Sequence, residues 1–291
     1  MSDLRWSEGE SQVGVDGLVD LMDLETIDHN LFRGRAVETT RPRVYGGQVA
    51  AQALCSALRT VPDDLGVHSL HSYFLLPGDS TSPIVYDVEQ VRDGRSFSTR
   101  RVAARQHGRT IFYLTASFQK AEEGLSHQEA MPDVPPPWEV TSFKQMLMSS
   151  GADGQAMARE WDALDIRWIG SSGRGIEADA SSPSRARSWF RINGRLSDDP
   201  LEHIAAFTFA SDATLLGASL AAHGERPPVQ MASLDHTIWF HRPFRADEWW
   251  LYDQWSPSAH AARGLSLGRI FTQDGTLVAT LAQEGLIRPM A

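Results

Sequence analysis

The chain has 291 residues, 42% of them apolar and 22% charged, a globular balance with material for about two domains; this excludes disordered and collagen-like classes. Its 37 acidic and 27 basic residues leave a net charge of −10, which excludes a nucleic-acid binder and an anionic-membrane binder, since both require a basic face. The single cysteine, Cys55, excludes an internal disulfide framework and a Cys-rich zinc site, and it suits a cytoplasmic location.

Residues 1–8 show no basic-then-apolar run, so no secretory leader is expected there. Ala50, Ala53, Leu54, Ala57 and Leu58 fall at i, i+3, i+4, i+7 and i+8, which predicts a helix whose small residues pack closely under a sheet. Strands are predicted over 84–88, 98–104 and 110–119, divided by the turn signals Pro77-Gly78-Asp79, Arg92-Asp93-Gly94 and Gln106-His107-Gly108. A proline-rich linker follows at 131–138, then a short helix at 155–164 and a polar tract at 170–187 that reads as a mobile surface loop. The window 204–222 imitates a membrane span, with Asp212 its single charged residue. A carboxylate at mid-membrane is disfavoured by about 2.5–3.5 kcal/mol, and no Lys/Arg cluster flanks the window, so it reads as a buried segment with no membrane partner. A helix is predicted over 212–222, then strands over 237–240, 248–255, 263–271 and 276–283.

The two halves repeat. Tyr73-Phe74, Pro77 and Tyr86-Asp87 recur as Trp239-Phe240, Pro243 and Tyr252-Asp253, each 166 positions later. Gln106-His107-Gly108 before an apolar run recurs as Gln273-Asp274-Gly275, 167 positions later. A fixed period signals a duplicated unit. A helix followed by an antiparallel meander, twice, is an α+β architecture. The domains are drawn at 1–125, at 126–160 for the linker and short helix, and at 161–291. A shift of 165 sets Asp212 opposite Gly47, and a shift of 167 sets Gln283 opposite Ala116, so polar groups stand at core-like positions in the second unit alone.

Short motifs carry less. Gly264-Leu265-Ser266-Leu267-Gly268 matches the G-x-S-x-G of serine hydrolases, but a hairpin follows it and no histidine lies beyond His260. Ser266 therefore reads as a strand residue. His68 with His71, and His236 with His241, lack a recognised metal spacing, so no metal and no cofactor are expected. Gly170 to Gly175 lacks the Gly-Lys-Ser/Thr ending of a phosphate loop. Arg100, Arg101 and Arg105 fit phosphate contacts or a solvated strand edge equally well. Asp212 reads as an N-cap, as a general base, or as both.

Longer stretches resemble the acyl-CoA thioesterase II family of double-hotdog hydrolases over nearly the whole chain. They are Phe32-Arg33-Gly34, Val44-Tyr45-Gly46-Gly47-Gln48, the stretch from His68 to Phe74, and Arg92 to Phe97. In the second half they are Ala210-Ser211-Asp212, Ala232 to Thr237, Trp239 to Phe244, and Thr272-Gln273-Asp274-Gly275 through Gln283-Glu284-Gly285. The resemblance implies two hotdog units, each a long helix wrapped by an antiparallel sheet. It also implies hydrolysis of acyl-CoA to free fatty acid and coenzyme A, by a water held between Asp212, Ser233 and Gln283. Ser233 stands where Thr is familiar, keeping the hydroxyl and losing a methyl. Backbone N–H groups at a helix start are expected to polarise the carbonyl, with Gly46 and Gly47 one option. Pairing of chains into a dimer is expected on the same ground. Two other readings compete: a non-catalytic acyl-CoA binder, and a dehydratase using His236 beside Asp235.

Overall fold

The structure, a computed structural model, describes residues 14–36, 39, 43–224 and 228–290. The leader reading at residues 1–8 lies outside them. In chain order the elements are α1 (Val15–Met22), β1 (Glu25–Asp28), β2 (Leu31–Gly34), α2 (Gly46–Leu58), β3 (Leu65–Phe74), β4 (Ile84–Asp93), β5 (Phe97–Gln106) and β6 (Arg109–Lys120). After a long connection that holds one 3₁₀ turn (Pro137–Glu139) come β7 (Thr141–Ser142), α3 (Phe143–Met148), α4 (Ala152–Glu160), β8 (Leu164–Ser172), β9 (Gly175–Ile176) and β10 (Arg185–Ile192). The chain ends with α5 (Pro200–Ser211), a 3₁₀ helix (Leu215–His223), β11 (Val229–Ser233), β12 (Asp235–Phe240), β13 (Trp250–His260), β14 (Arg263–Thr272) and β15 (Leu277–Pro289).

All strands join one sheet, whose order β2-β4-β5-β6-β3-β12-β15-β14-β13-β10 mirrors itself about the β3–β12 pair. His71 of β3 faces Thr237 of β12, the residue 166 positions later, so a pseudo-twofold axis passes through that pair. The sequence period is thus a spatial symmetry. The fold is the double hotdog, with α2 wrapped by the first half of the sheet and the 3₁₀ helix by the second. Ala50, Ala53, Leu54 and Ala57 are fully buried, and their small side chains let α2 lie close against both the sheet and α5.

Several sequence expectations shift. The helix expected over 212–222 begins earlier. Asp199 caps α5 by accepting from the Leu201 N–H, Pro200 takes the first helical position, and Asp212 is the C-cap. The Asp-Pro pair is the stronger start signal, because proline loses no hydrogen bond there. Asp212 is therefore no N-cap. Beyond it the chain tightens into the 3₁₀ helix, whose Leu216 and Ser219, three apart on one face, lie against Gly285 and Gly264. A methyl on either glycine would meet them at 2.5 Å. The pair Gly264 and Gly285 is thus a bare platform for the helix, and Ser266 is a strand residue as read. The helical stretch Pro200–His223 is long and apolar enough to cross a membrane, yet 67% of that window is buried inside the fold.

The polar tract 170–187 is largely sheet: β8 runs to Ser172, β9 follows, and β10 starts at Arg185. Gly173 and Gly175 hold positive φ values (73° and 86°) in the tight loop that brings β9 parallel alongside the end of β8. Only residues 177–184 lack regular structure, with Asp179 accepting from the Ser181 N–H and hydroxyl. The helix expected at 155–164 sits at Ala152–Glu160, with β8 starting at Leu164. The strands β1 to β3 and β7 to β11, and the helices α1 and α3, were not anticipated.

Candidate active site

Three side chains from three elements meet at the mouth of the second unit. Asp212 caps α5, Ser233 ends β11, and Gln283 lies on the helix-facing side of β15. The Gln283 Nε2 donates to Asp212 Oδ1 at 2.6 Å and to Ser233 Oγ at 2.9 Å. Ser233 Oγ stands 3.5 Å from Asp212 Oδ1. Gln283 is fully buried; Asp212 and Ser233 are half-buried and line a cleft of about 240 Å³, together with Thr214, Leu216, Gly217 and Met231. Both amide hydrogens of Gln283 are thus engaged by the two groups that face the cleft. Ser233, accepting from the amide, keeps its own hydroxyl proton to give.

The start of α2 closes the site from the first unit. A methyl group on Gly46 would stand 2.6 Å from Asp212 Oδ2 and 2.9 Å from the Phe74 ring, so the carboxylate keeps this position only beside bare backbone. The first-turn N–H groups of α2 have no partner within the helix, and with its dipole they favour negative charge here. Gly47 backs onto the Phe209 carbonyl, where an added methyl would come within 2.2 Å. Under the 166 period that the strands obey, the counterpart of Asp212 is Gly46. The pseudo-axis therefore sets the two against each other.

The buried phenol of Tyr252 donates to the Ser211 carbonyl at 3.0 Å. Its pKa is held well above the ordinary tyrosine value, first by burial and then by the negative charge of Asp212. Burial alone lowers the His236 imidazole from 6.5 to about 4, so it is neutral at pH 7. Its Nε2 lies 2.9 Å from Ser211 Oγ, and the side chain is closed off from solvent. Asp235 accepts from the Glu284 N–H at 2.7 Å. The pair proposed for a dehydratase is thus committed to the protein's own backbone and helix end.

Other candidates separate. Arg100 is buried, and its guanidinium donates to Thr60, Asp93 and the Arg92 and Thr99 carbonyls, leaving it no part in phosphate binding. Arg101 and Arg105 pair with Glu89 and Asp87 on the surface. His68 contacts Ser117, His71 stacks edge-on against Trp239, and His241 contacts Thr280. Among the described residues, no cluster of three His, Cys, Asp or Glu is placed to hold a metal. Sequence reasoning missed Tyr252 and weighed His236 only as a dehydratase or metal candidate. The recurrence of Tyr86-Asp87 as Tyr252-Asp253 was the available signal for the first of them.

Two helix-in-sheet units sharing one sheet, with a carboxylate, hydroxyl and amide at one mouth, define a hotdog-fold thioester hydrolase. The model of the acyl-CoA thioesterase N-terminal domain matches residues 36–119, and the acyl-CoA thioesterase model matches residues 177–286. Human acyl-coenzyme A thioesterase 8 is 40% identical, over 92% of this chain and 88% of its own length. Acyl-CoA thioesterase 2 of Haemophilus influenzae is 39% identical, over 94% and 98%. The crystal structure of an acyl-CoA thioesterase II from Mycobacterium marinum superposes with a TM-score of 0.82 at 45% identity, over 94% of this chain and 99% of that one. The chain belongs to the acyl-CoA thioesterase II family.

Proposed function

We propose that the chain hydrolyses fatty acyl-CoA thioesters with a water activated by Asp212. The observation that carries the reading is the Gln283 amide, which binds Asp212 and Ser233 at once on the wall of a cleft. A carboxylate that accepts such hydrogen bonds is kept charged and ready to take a proton. Asp212 and Ser233, on the cleft wall, hold the water; Gln283, buried beneath, fixes both. The water oxygen bonds to the thioester carbon as Asp212 takes its proton. The carbonyl electrons move to oxygen, where the N–H groups at the start of α2 face negative charge. Collapse of that intermediate breaks the C–S bond. The thiolate leaves with the proton that Asp212 returns, giving coenzyme A and the free acid.

The test is thiol release from short, medium and long acyl-CoA esters by the wild type, Asp212→Ala and Gln283→Ala. Turnover by the wild type alone is expected. A wild type that binds but never turns over would favour the non-catalytic reading, and equal activity in all three proteins would remove the assigned residues. Two further expectations belong with this function. A dimer of chains is supported by the exposed rings of Tyr73, Tyr113 and Trp239 on the outer face near the pseudo-axis. A cytoplasmic location is supported by the lone, unpaired Cys55, and a role in fatty-acid metabolism by the acyl-CoA thioesterase relatives.

A further inference from the structure

The last turn of α5 is held by side chains from three other elements. Tyr45, just before α2, donates to the Phe209 carbonyl at 2.9 Å. Tyr252 of β13 donates to the Ser211 carbonyl at 3.0 Å. The Ser211 hydroxyl donates to the Thr208 carbonyl at 2.9 Å and lies 2.9 Å from His236 Nε2 of β12. A hydroxyl has one proton, and that of Ser211 goes to Thr208. The imidazole is therefore the donor in the second contact, with its hydrogen on Nε2. Helix carbonyls at a C-terminus have no partner within the helix, and such ends fray unless something else caps them. Here two buried polar side chains converge on one residue, Ser211, immediately before Asp212. Neither reaches the cleft.

Buried phenol and imidazole groups cost stability that phenylalanine and leucine would not, so packing alone does not account for them. The repeat supplies an internal control. The first-unit counterpart of Tyr252 is Tyr86, whose hydroxyl donates to the Gln52 side chain and not to a helix-end carbonyl. The counterpart of His236 is Leu70, apolar and fully buried. The full arrangement exists only in the unit that carries the carboxylate.

We propose that Tyr252 and His236 are positioning residues: they pin the Ser211–Asp212 peptide so that the carboxylate stays aligned with Ser233 over the cleft. This rests on the thioesterase reading. Gln283 steers the carboxylate from the side-chain end, and the pair fixes it from the backbone end. Both donors persist at neutral pH. The Asp212 charge and burial keep the phenol protonated, and a neutral imidazole still carries hydrogen on Nε2. Displacement of a reacting group by about 1 Å costs on the order of a hundredfold in rate, so loosening this turn acts on kcat and spares binding.

The experiment measures kcat and KM with an acyl-CoA ester that the wild type hydrolyses, for Tyr252→Phe, His236→Leu and His236→Gln, with melting temperatures alongside. The first two are expected to lose roughly tenfold to a hundredfold in kcat with KM within about twofold of the wild type. His236→Gln recovers most of the loss, because its amide N–H donates to Ser211 as the imidazole does. Values of kcat within twofold of the wild type in Tyr252→Phe and His236→Leu would overturn the proposal. So would a folded His236→Gln no better than His236→Leu. Should His236→Leu fail to fold, the near-isosteric Tyr252→Phe decides by the same criterion. An active wild type with inert substitutions removes only the positioning role, whereas an inactive wild type removes the thioesterase reading itself.

Discussion

Gly46 and Gly47 are neighbours in sequence, yet substituting them with alanine should do opposite things. Neither glycine has a positive φ, so alanine suits the backbone, and in a helix interior it gains up to about 1 kcal/mol over glycine. Sterics then decide. At Gly47 the new methyl would meet the Phe209 carbonyl at 2.2 Å and the Tyr45 ring at 2.6 Å. That carbonyl belongs to α5 and already accepts from the Tyr45 hydroxyl, so neither group can withdraw without breaking the contact between the helices. Overpacking of this kind costs about 1–3 kcal/mol, and backbone that cannot yield belongs at the upper end. Net of propensity, Gly47→Ala should lose about 2 kcal/mol. At Gly46 the obstacle is Asp212 Oδ2 at 2.6 Å, the tip of a side chain that can swing away. Gly46→Ala should therefore stay within about 1 kcal/mol of the wild type while losing at least about tenfold in kcat. Urea unfolding and thioesterase assays on both variants check this. A Gly47→Ala protein as stable as the wild type, or a Gly46→Ala protein with full kcat, would refute the close approach of α2 to α5 and Asp212.

Replacing the proton acceptor, Asp212→Asn, should cut kcat by about a hundredfold or more with the fold retained, read by thiol release and melting temperature. The buried imidazole makes stability acid-sensitive. Its folded pKa of about 4 lies below the unfolded 6.5, so the unfolded chain binds the proton first as pH falls. The stabilisation is present above pH 6.5 and is lost toward pH 4, about 2 kcal/mol of it between pH 7 and pH 5. Urea melts of wild type and His236→Gln at those two pH values should differ by that amount, since other groups contribute equally to both proteins. On the outer sheet face, buried Asp253 takes Arg187 at 2.7 Å and Arg269 at 2.5 Å. Asp253→Asn leaves Arg187 without its carboxylate and Arg269 with Glu129 alone, and should cost about 3 kcal/mol in a urea melt, with kcat unchanged in the folded protein.

What the sequence made legible follows from range. The period of 166 is local patterning repeated, and it carried β4 to β6 and β13 to β15 into the sheet in the observed order. Gln283 stood out because an amide in an apolar strand needs a partner. Which partner was beyond pattern: Asp212 and Ser233 lie 71 and 50 residues away in sequence, and only the closed sheet joins them. Asp212 was legible as a lone charge in an apolar run, but its place at a helix end was misread. The start signal is the Asp199-Pro200 pair, which the reading of a helix over 212–222 leaves out. Tyr252 gave no site signal of its own and His236 only that of a dehydratase or metal candidate, since a tyrosine or histidine in an apolar strand looks the same whether it packs or pins. The tract 170–187 looked mobile by composition, yet cross-strand pairing with β13 overrides composition at Arg185 to Arg187.

The duplication also explains why one chain carries one site. A symmetric pair of sites would put an aspartate at position 46, the counterpart of Asp212, and a glutamine at position 116. The pseudo-axis disfavours the first of these. The Cβ of any residue at 46 would stand 2.6 Å from Asp212 Oδ2, within the contact distance of two non-bonded atoms, before a carboxylate is even added. Two carboxylates forced into that space would also repel, and one of them would take up a proton and cease to be a base. Once Asp212 occupies the axis, a second carboxylate has no room opposite it, and glycine there leaves Asp212 undisturbed. The bare helix start that remains is the feature that the proposed mechanism uses to face the substrate carbonyl. With no aspartate to hold, the first unit has no use for an amide at 116, and Ala116 fills that place in the packed core. The asymmetry of the two units is thus a steric consequence of building one site where two copies of the same fold meet.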